Sequence, residues 1–141
     1  MHWLTAQEIK RMNRCGEIVV LEFKQEMPAH LERNKLGYFD FFVRTPDKTI
    51  GFEVMSRPTK GKLREKLCYA NAVDEFVFVL PHNALEFYLR RPRPNFYEYT
   101  RTKSFPHEFS SDNLYVWMLD LEYGLFKAKA LFREVFNVVS R

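Results

Sequence analysis

No apolar run in the sequence approaches the roughly 20 residues that a membrane-spanning helix needs, and the N-terminus lacks the basic-then-apolar order of a secretion signal. A soluble, cytoplasmic protein with no membrane partner is the expectation. Cysteine is scarce: Cys15 and Cys68 stand far apart, neither with a second Cys or a His at zinc-clamp spacing. Reduced thiols follow, and a disulfide framework does not. His2, His30, His82 and His107 are equally scattered, so spacing offers no support for a His-based metal site. Repeats, low-complexity tracts and a visible domain boundary are missing too. What is abundant is aromatic: 14 Phe, 7 Tyr and 2 Trp in 141 residues, enough buried area to offset the chain entropy of a single domain, here residues 1–141. The net charge of +4 and pI near 9.1 suit a nucleic-acid partner without requiring one.

Along the chain, Thr5, Ala6, Gln7 and Glu8 form a capping-box pattern, and Ile9, Met12, Val19, Val20 and Phe23 recur at nearly helical spacing. One helix over residues 6–25 is expected, although the β-branched content of Glu17 to Phe23 would also suit a strand. Tyr38 to Arg44 and Thr49 to Met55 flank the turn Thr45-Pro46-Asp47-Lys48 and predict a β-hairpin. Pro58 and Thr59 precede Leu63, Leu67, Ala70 and Val73 at helical spacing, and the unbroken apolar run Phe76 to Leu80 reads as a buried strand. Strand, helix, strand is a crossover, which makes the two strands parallel and the sheet mixed. Asn83 to Leu89 reads as a short helix and Arg90 to His107, with three prolines, as a long loop. Leu114 to Leu121 and Leu125 to Ala130 read as a second hairpin around Gly124, followed by a C-terminal helix from about Leu131.

A turn centred between Pro46 and Asp47 sets Asp40 opposite Glu53. Strand alternation then puts both carboxylates on one face with Tyr38, Phe42, Gly51 and Met55. Directly opposed like charges destabilise a sheet, more so among aromatics where the effective dielectric is low. A shared proton, an intervening cation or a divalent metal with hard oxygen preference, Mg²⁺ or Mn²⁺, would compensate. Gly51 beside the pair leaves room for a substrate backbone. A solvent-facing pair neutralised by Lys or Arg neighbours is the plainer alternative.

The chain resembles the PD-(D/E)xK nuclease superfamily over residues 5–81. The carriers are Gly37-Tyr38-Phe39-Asp40, Ile50-Gly51-Phe52-Glu53-Val54, the helix Lys66-Leu67-Cys68-Tyr69, and Asp74-Glu75-Phe76-Val77-Phe78-Val79-Leu80-Pro81. That resemblance implies an α/β fold, a mixed β-sheet flanked by helices with a restriction-endonuclease-like core of helix, β-hairpin, helix and strand. It implies a metal-dependent DNA endonuclease or resolvase in which Asp40, Glu53 and the Val54 carbonyl hold Mg²⁺ or Mn²⁺. A further Glu from the first helix, Glu17 ahead of Glu22, would join them. The family's Lys, two residues after the Glu, is Met55 here, and a thioether can hold neither a proton nor a charge for an attacking water. Either Lys60 or Lys62 reaches back from the next helix, or the domain is a catalytically inactive DNA-binding or assembly module.

Arg57, Lys60, Lys62, Arg64 and Lys66 crowd the stretch after the carboxylate strand, where a phosphate would meet charge and helix N–H groups. A solvated helix face is the ordinary reading of such a run. Arg90, Arg91, Arg93, Arg101 and Lys103 alternate with Tyr88, Phe96, Tyr97, Tyr99 and Phe105, a mixture suited to tracking a backbone while stacking bases. The same aromatics could instead pin a loop or, with Tyr115 and Trp117, form a homodimer surface.

Overall fold

The computed structural model describes residues 1–83 and 104–140. Its first helix, α1 (His2–Arg14), ends at Gly16, whose φ of 77° is the left-handed conformation that closes helices. The Cys15 and Gly16 N–H groups donate to the carbonyls of Arg11 and Asn13, and Asn13 Oδ1 accepts from Val20 N at 3.0 Å. The expected helix over residues 6–25 is thereby corrected: the chain turns after Arg14, and Glu22–His30 forms strand β1. Ile18, Val19 and Val20, stiff at χ1, lie in the link to that strand.

Strands β2 (Leu36–Arg44) and β3 (Thr49–Val54) form the expected hairpin, closed by Thr45, whose N–H donates to Lys48 O at 2.9 Å. Helix α2 (Lys60–Lys66) starts at Thr59, whose Oγ1 accepts from Lys62 N at 3.1 Å. It tightens into a 3₁₀ segment over Leu67–Ala72 rather than running on to Val73. Strand β4 (Glu75–Pro81) lies parallel to β3, and β5 (Leu114–Asp120) parallel to β4. Strand β6 (Leu125–Leu131) returns antiparallel around Gly124, as expected. The C-terminal helix shrinks to one turn, Phe132–Val135, because the chain then extends and Val138 bridges to Phe105. All but Asn83 of the expected Asn83–Leu89 helix and most of the Arg90–His107 loop lie outside the described residues; His107–Ser110 is a 3₁₀ turn.

The product is a six-stranded mixed sheet in sequential order β1 to β6, with helices on both faces. One face packs Ala6 and Ile9 of α1 onto Phe41, Val43, Phe52, Val79 and Trp117. The other packs Leu63 of α2 and Phe132 onto Phe39, Phe42, Phe76, Phe78 and Val116. Trp117 is therefore core and not an exposed dimer contact. Each side chain of this size withdrawn from water contributes about 1.5–3 kcal/mol, and β4, buried on both faces from Phe76 to Leu80, supplies much of that.

Alternation fails at one place in β2. Phe41 and Val43 serve the α1 face, yet Phe39 joins Phe42 on the other, and Tyr38, expected on that face, is exposed. The β1–β2 ladder pairs Gln25 with Phe41 and Met27 with Phe39 but skips Glu26 and Asp40, and Glu26 has a φ of 50°. The β2–β3 ladder stops at Phe41 and Phe52, so Asp40 has ladder partners on neither side.

The space expected beside Gly51 is filled. A Cβ there would lie 2.4 Å from the Phe39 ring, and that ring is held by Tyr69 and Phe76 at centroid distances of 5.6 and 6.0 Å. Gly51→Ala is expected to destabilise the fold by about 1–3 kcal/mol, the usual cost of overpacking. A fall in the urea midpoint at constant m-value checks this, and an unchanged midpoint would contradict it.

Candidate active site

Glu53 is carried inward by β3, which sits between β2 and β4, and pairs with Phe78. The residue is 8% exposed. Asp40 lies where β2 and β3 part, and its carboxylate replaces the missing ladder: Oδ2 accepts from Val54 N at 2.7 Å. Its other oxygen, Oδ1, is 3.5 Å from Nε2 of His2 at the start of α1. Asp40 and Glu53 come within hydrogen-bonding reach of each other, although the β2–β3 ladder stops one pair short of them.

Burial, reinforced by the Asp40 carboxylate beside it, raises the Glu53 pKa from the ordinary 4.5 to about 8, against the opposing pull of Lys66. Lys66 Nζ is 3.0 Å from Glu53 Oε2, in ion-pair range but without hydrogen-bond alignment, so Oε2 is buried with no hydrogen-bond partner. The ammonium also lies 4.8 Å over the Tyr69 ring. Burial pulls the Lys66 pKa down, but the Glu53 carboxylate more than offsets it and the lysine stays cationic.

The lysine that meets the pair is thus neither of those expected. Lys60 Nζ donates to Ser104 O at 2.8 Å, and Lys62 Nζ to Arg57 O at 3.3 Å. The spacing signal was present: Lys66 is three residues from buried Leu63 and three from buried Tyr69, on the inward face of the helix. Met55, two residues beyond Glu53, packs against the aromatic core while its N–H donates to Val79 O.

Glu17 follows the end of α1 opposite to His2. A 13-residue helix separates the two by roughly 20 Å. Glu17 pairs with Arg11 at 3.1 Å and Glu22 with Arg44 at 2.6 Å, so neither joins Asp40. Among the described residues no three His, Cys, Asp or Glu side chains gather as a metal-binding group. Two carboxylates remain, with the Val54 carbonyl adjoining. Their hard oxygens, including the buried Oε2 that accepts no hydrogen bond, fit Mg²⁺ or Mn²⁺. His2 was not expected at the pair, and no spacing rule links the two.

In the basic stretch, Arg64 pairs with Glu108 at 2.9 Å and Lys66 faces inward, while Arg57, Lys62 and Arg64 are exposed. Arg90, Arg91 and Arg93, like Arg101 and Lys103, lie outside the described residues. No helix among the described residues is long and apolar enough to cross a membrane. Compared with protein-family models, curated proteins and solved structures, the chain has no significant match.

The folded state keeps a proton on Glu53 that the unfolded chain releases at the ordinary carboxylate pKa. Stability from this group is therefore full below about 4.5 and is lost as pH rises toward 8, by at most about 1.4 kcal/mol per pH unit. Glu53→Gln removes that loss, so the unfolding free energies of variant and wild type should shift in the variant's favour between pH 5 and about 8. Chemical denaturation across that range checks it; a pH-independent difference would mean that Glu53 ionises normally.

Proposed function

We propose that this chain is a metal-dependent phosphodiester hydrolase acting on DNA, an endonuclease or resolvase of the PD-(D/E)xK kind. The observation that carries the reading is the buried Glu53 carboxylate, set against Asp40 and 3.0 Å from Lys66. Two acids and a lysine gathered where two strands part, with the Glu53 pKa raised by burial, suit hydrolytic chemistry. The element order supports the same restriction-endonuclease-like core: helix, antiparallel strands, helix, then a parallel strand.

Asp40, Glu53 and the Val54 carbonyl would hold Mg²⁺ or Mn²⁺, which when bound lowers the pKa of a water and neutralises charge on the phosphate. Asp40 is oriented for that task by the Val54 N–H. Glu53 must lose its proton to serve as a ligand. Lys66 supplies, from the helix, the positive charge that Met55 cannot, and its ammonium is held in place by Tyr69. Exposed Arg57, Lys62 and Arg64 offer the phosphates a basic approach.

The test is cleavage of single-stranded, duplex and branched DNA in Mg²⁺, Mn²⁺ or EDTA. Cleavage should require metal, vanish in Asp40→Asn and Glu53→Gln, and fall about 10²-fold or more in Lys66→Met, whereas Lys60→Met should retain it. Below saturating metal, activity should climb with pH through about 8 and level off above it as Glu53 deprotonates. Undiminished cleavage in both carboxylate variants would overturn the reading. Met55 favours one other: salt-sensitive DNA binding without turnover, gained activity appearing only in Met55→Lys, would identify an inactive nuclease-fold binding module.

A further inference from the structure

On the α1 face, next to Asp40, lies a cleft of about 330 Å³ between α1 and the interrupted part of β1 and β2. Its volume is at the lower end of the range of small-ligand sites, ~300–1,000 Å³. Phe41, 3% exposed, makes an apolar floor. Trp3, 70% exposed, stands on the rim. Gln7, Lys10, Gln25 and Glu26 line the walls, and among the described residues none of these four side chains has a hydrogen bond or ion pair.

These groups share a purpose. An exposed indole offers a flat face for stacking, and two free amides offer donors and acceptors to the edge of a flat ring. Glu26 adds acceptors for an exocyclic amine, and Lys10 a cation for a neighbouring phosphate. Glu26 is also held at a φ of 50°, a costly conformation for a side chain that gains no partner within the protein. The same cleft reaches Asp40, which belongs to the carboxylate pair.

We infer that this cleft receives an unpaired nucleobase of the strand being cut, stacked on Trp3 and read at its edge by Gln7, Gln25 and Glu26. The inference rests on the hydrolase reading and adds a substrate class: nucleic acid with a single-stranded or extruded nucleotide at the cleavage point. Glu26 makes the site prefer cytosine, which carries an amine, to thymine, which does not.

Tryptophan fluorescence of the wild-type protein in EDTA, titrated with short oligonucleotides, tests binding apart from cleavage. Single strands should quench Trp3 and bind about tenfold or more tightly than an abasic strand of equal length, the size expected for one stacked base. Trp117, 7% exposed, contributes a steady background, so quenching should disappear in Trp3→Phe. Binding should weaken in Gln25→Ala, and oligo-dC should lose its advantage over oligo-dT in Glu26→Gly, a substitution that suits the backbone at that position. DNA and RNA strands of the same sequence separate the two sources of the base. Equal binding of base-bearing and abasic strands, or quenching that survives Trp3→Phe, would overturn the inference. Base-dependent quenching in a protein that cuts nothing with metal would uphold the cleft and defeat the hydrolase; metal-dependent cutting at abasic and intact sites alike would do the reverse.

Discussion

Glu53 is an acid in the interior of a sheet, and the surroundings of the site follow from accommodating it. Its strand lies between two others and its face is aromatic, so the carboxylate has little water to solvate its charge. Asp40 worsens the electrostatics and Lys66 relieves them only partly, since the acid still holds its proton to about pH 8. A group held this way is poised: a small change in local charge, such as a cation or a displaced lysine, switches its protonation near neutrality. An exposed ion pair such as Arg44 with Glu22 has no comparable leverage, because water screens it already.

The interruption at Asp40 is the structural counterpart of that electrostatics. An aspartate with ladder neighbours on both strands would have its side chain fixed to one face. Here the ladders skip it, its carboxylate reaches across to the Val54 N–H, and it faces His2 on the α1 side while remaining within reach of Glu53 on the other. The same break allows Phe39 to swing onto the α2 face and occupy the space that Gly51 leaves. The space beside Gly51 is therefore closed. The open side is the α1 side, where the backbone strain at Glu26 and the cleft are found.

What was legible beforehand was whatever local pattern controls. The hairpin register was readable because the turn at Thr45 to Lys48 counts residues, and pairing of Phe41 with Phe52 and Val43 with Ile50 follows. Strand β4 was readable from its unbroken apolar run and the crossover before it. The second half of the expected first helix was not, because Val19, Val20 and Phe23 satisfy both periods and Gly16 decides between them through its backbone conformation. Alternation fails at Asp40 for a different reason: a break in a ladder depends on the strand opposite, and nothing in residues 38–42 announces it. The carboxylates still meet because the β2–β3 ladder keeps its register up to Phe41 and Phe52, the residues next to them.

The lysine that meets Glu53 comes from a helix and not from the strand that carries the acid. Two residues beyond Glu53, β3 still pairs with β4 through Met55 N–H, and the side chain there enters an aromatic layer. A lysine at that point would have to carry its charge into that layer, at a desolvation cost that methionine escapes. Helix α2 crosses the same face with Leu63 and Tyr69 buried, so Lys66 between them can lay its stem along the apolar surface while Tyr69 holds the ammonium at the rim. The charge arrives at Glu53 from above the sheet rather than from within it, and the core loses no packing to provide it.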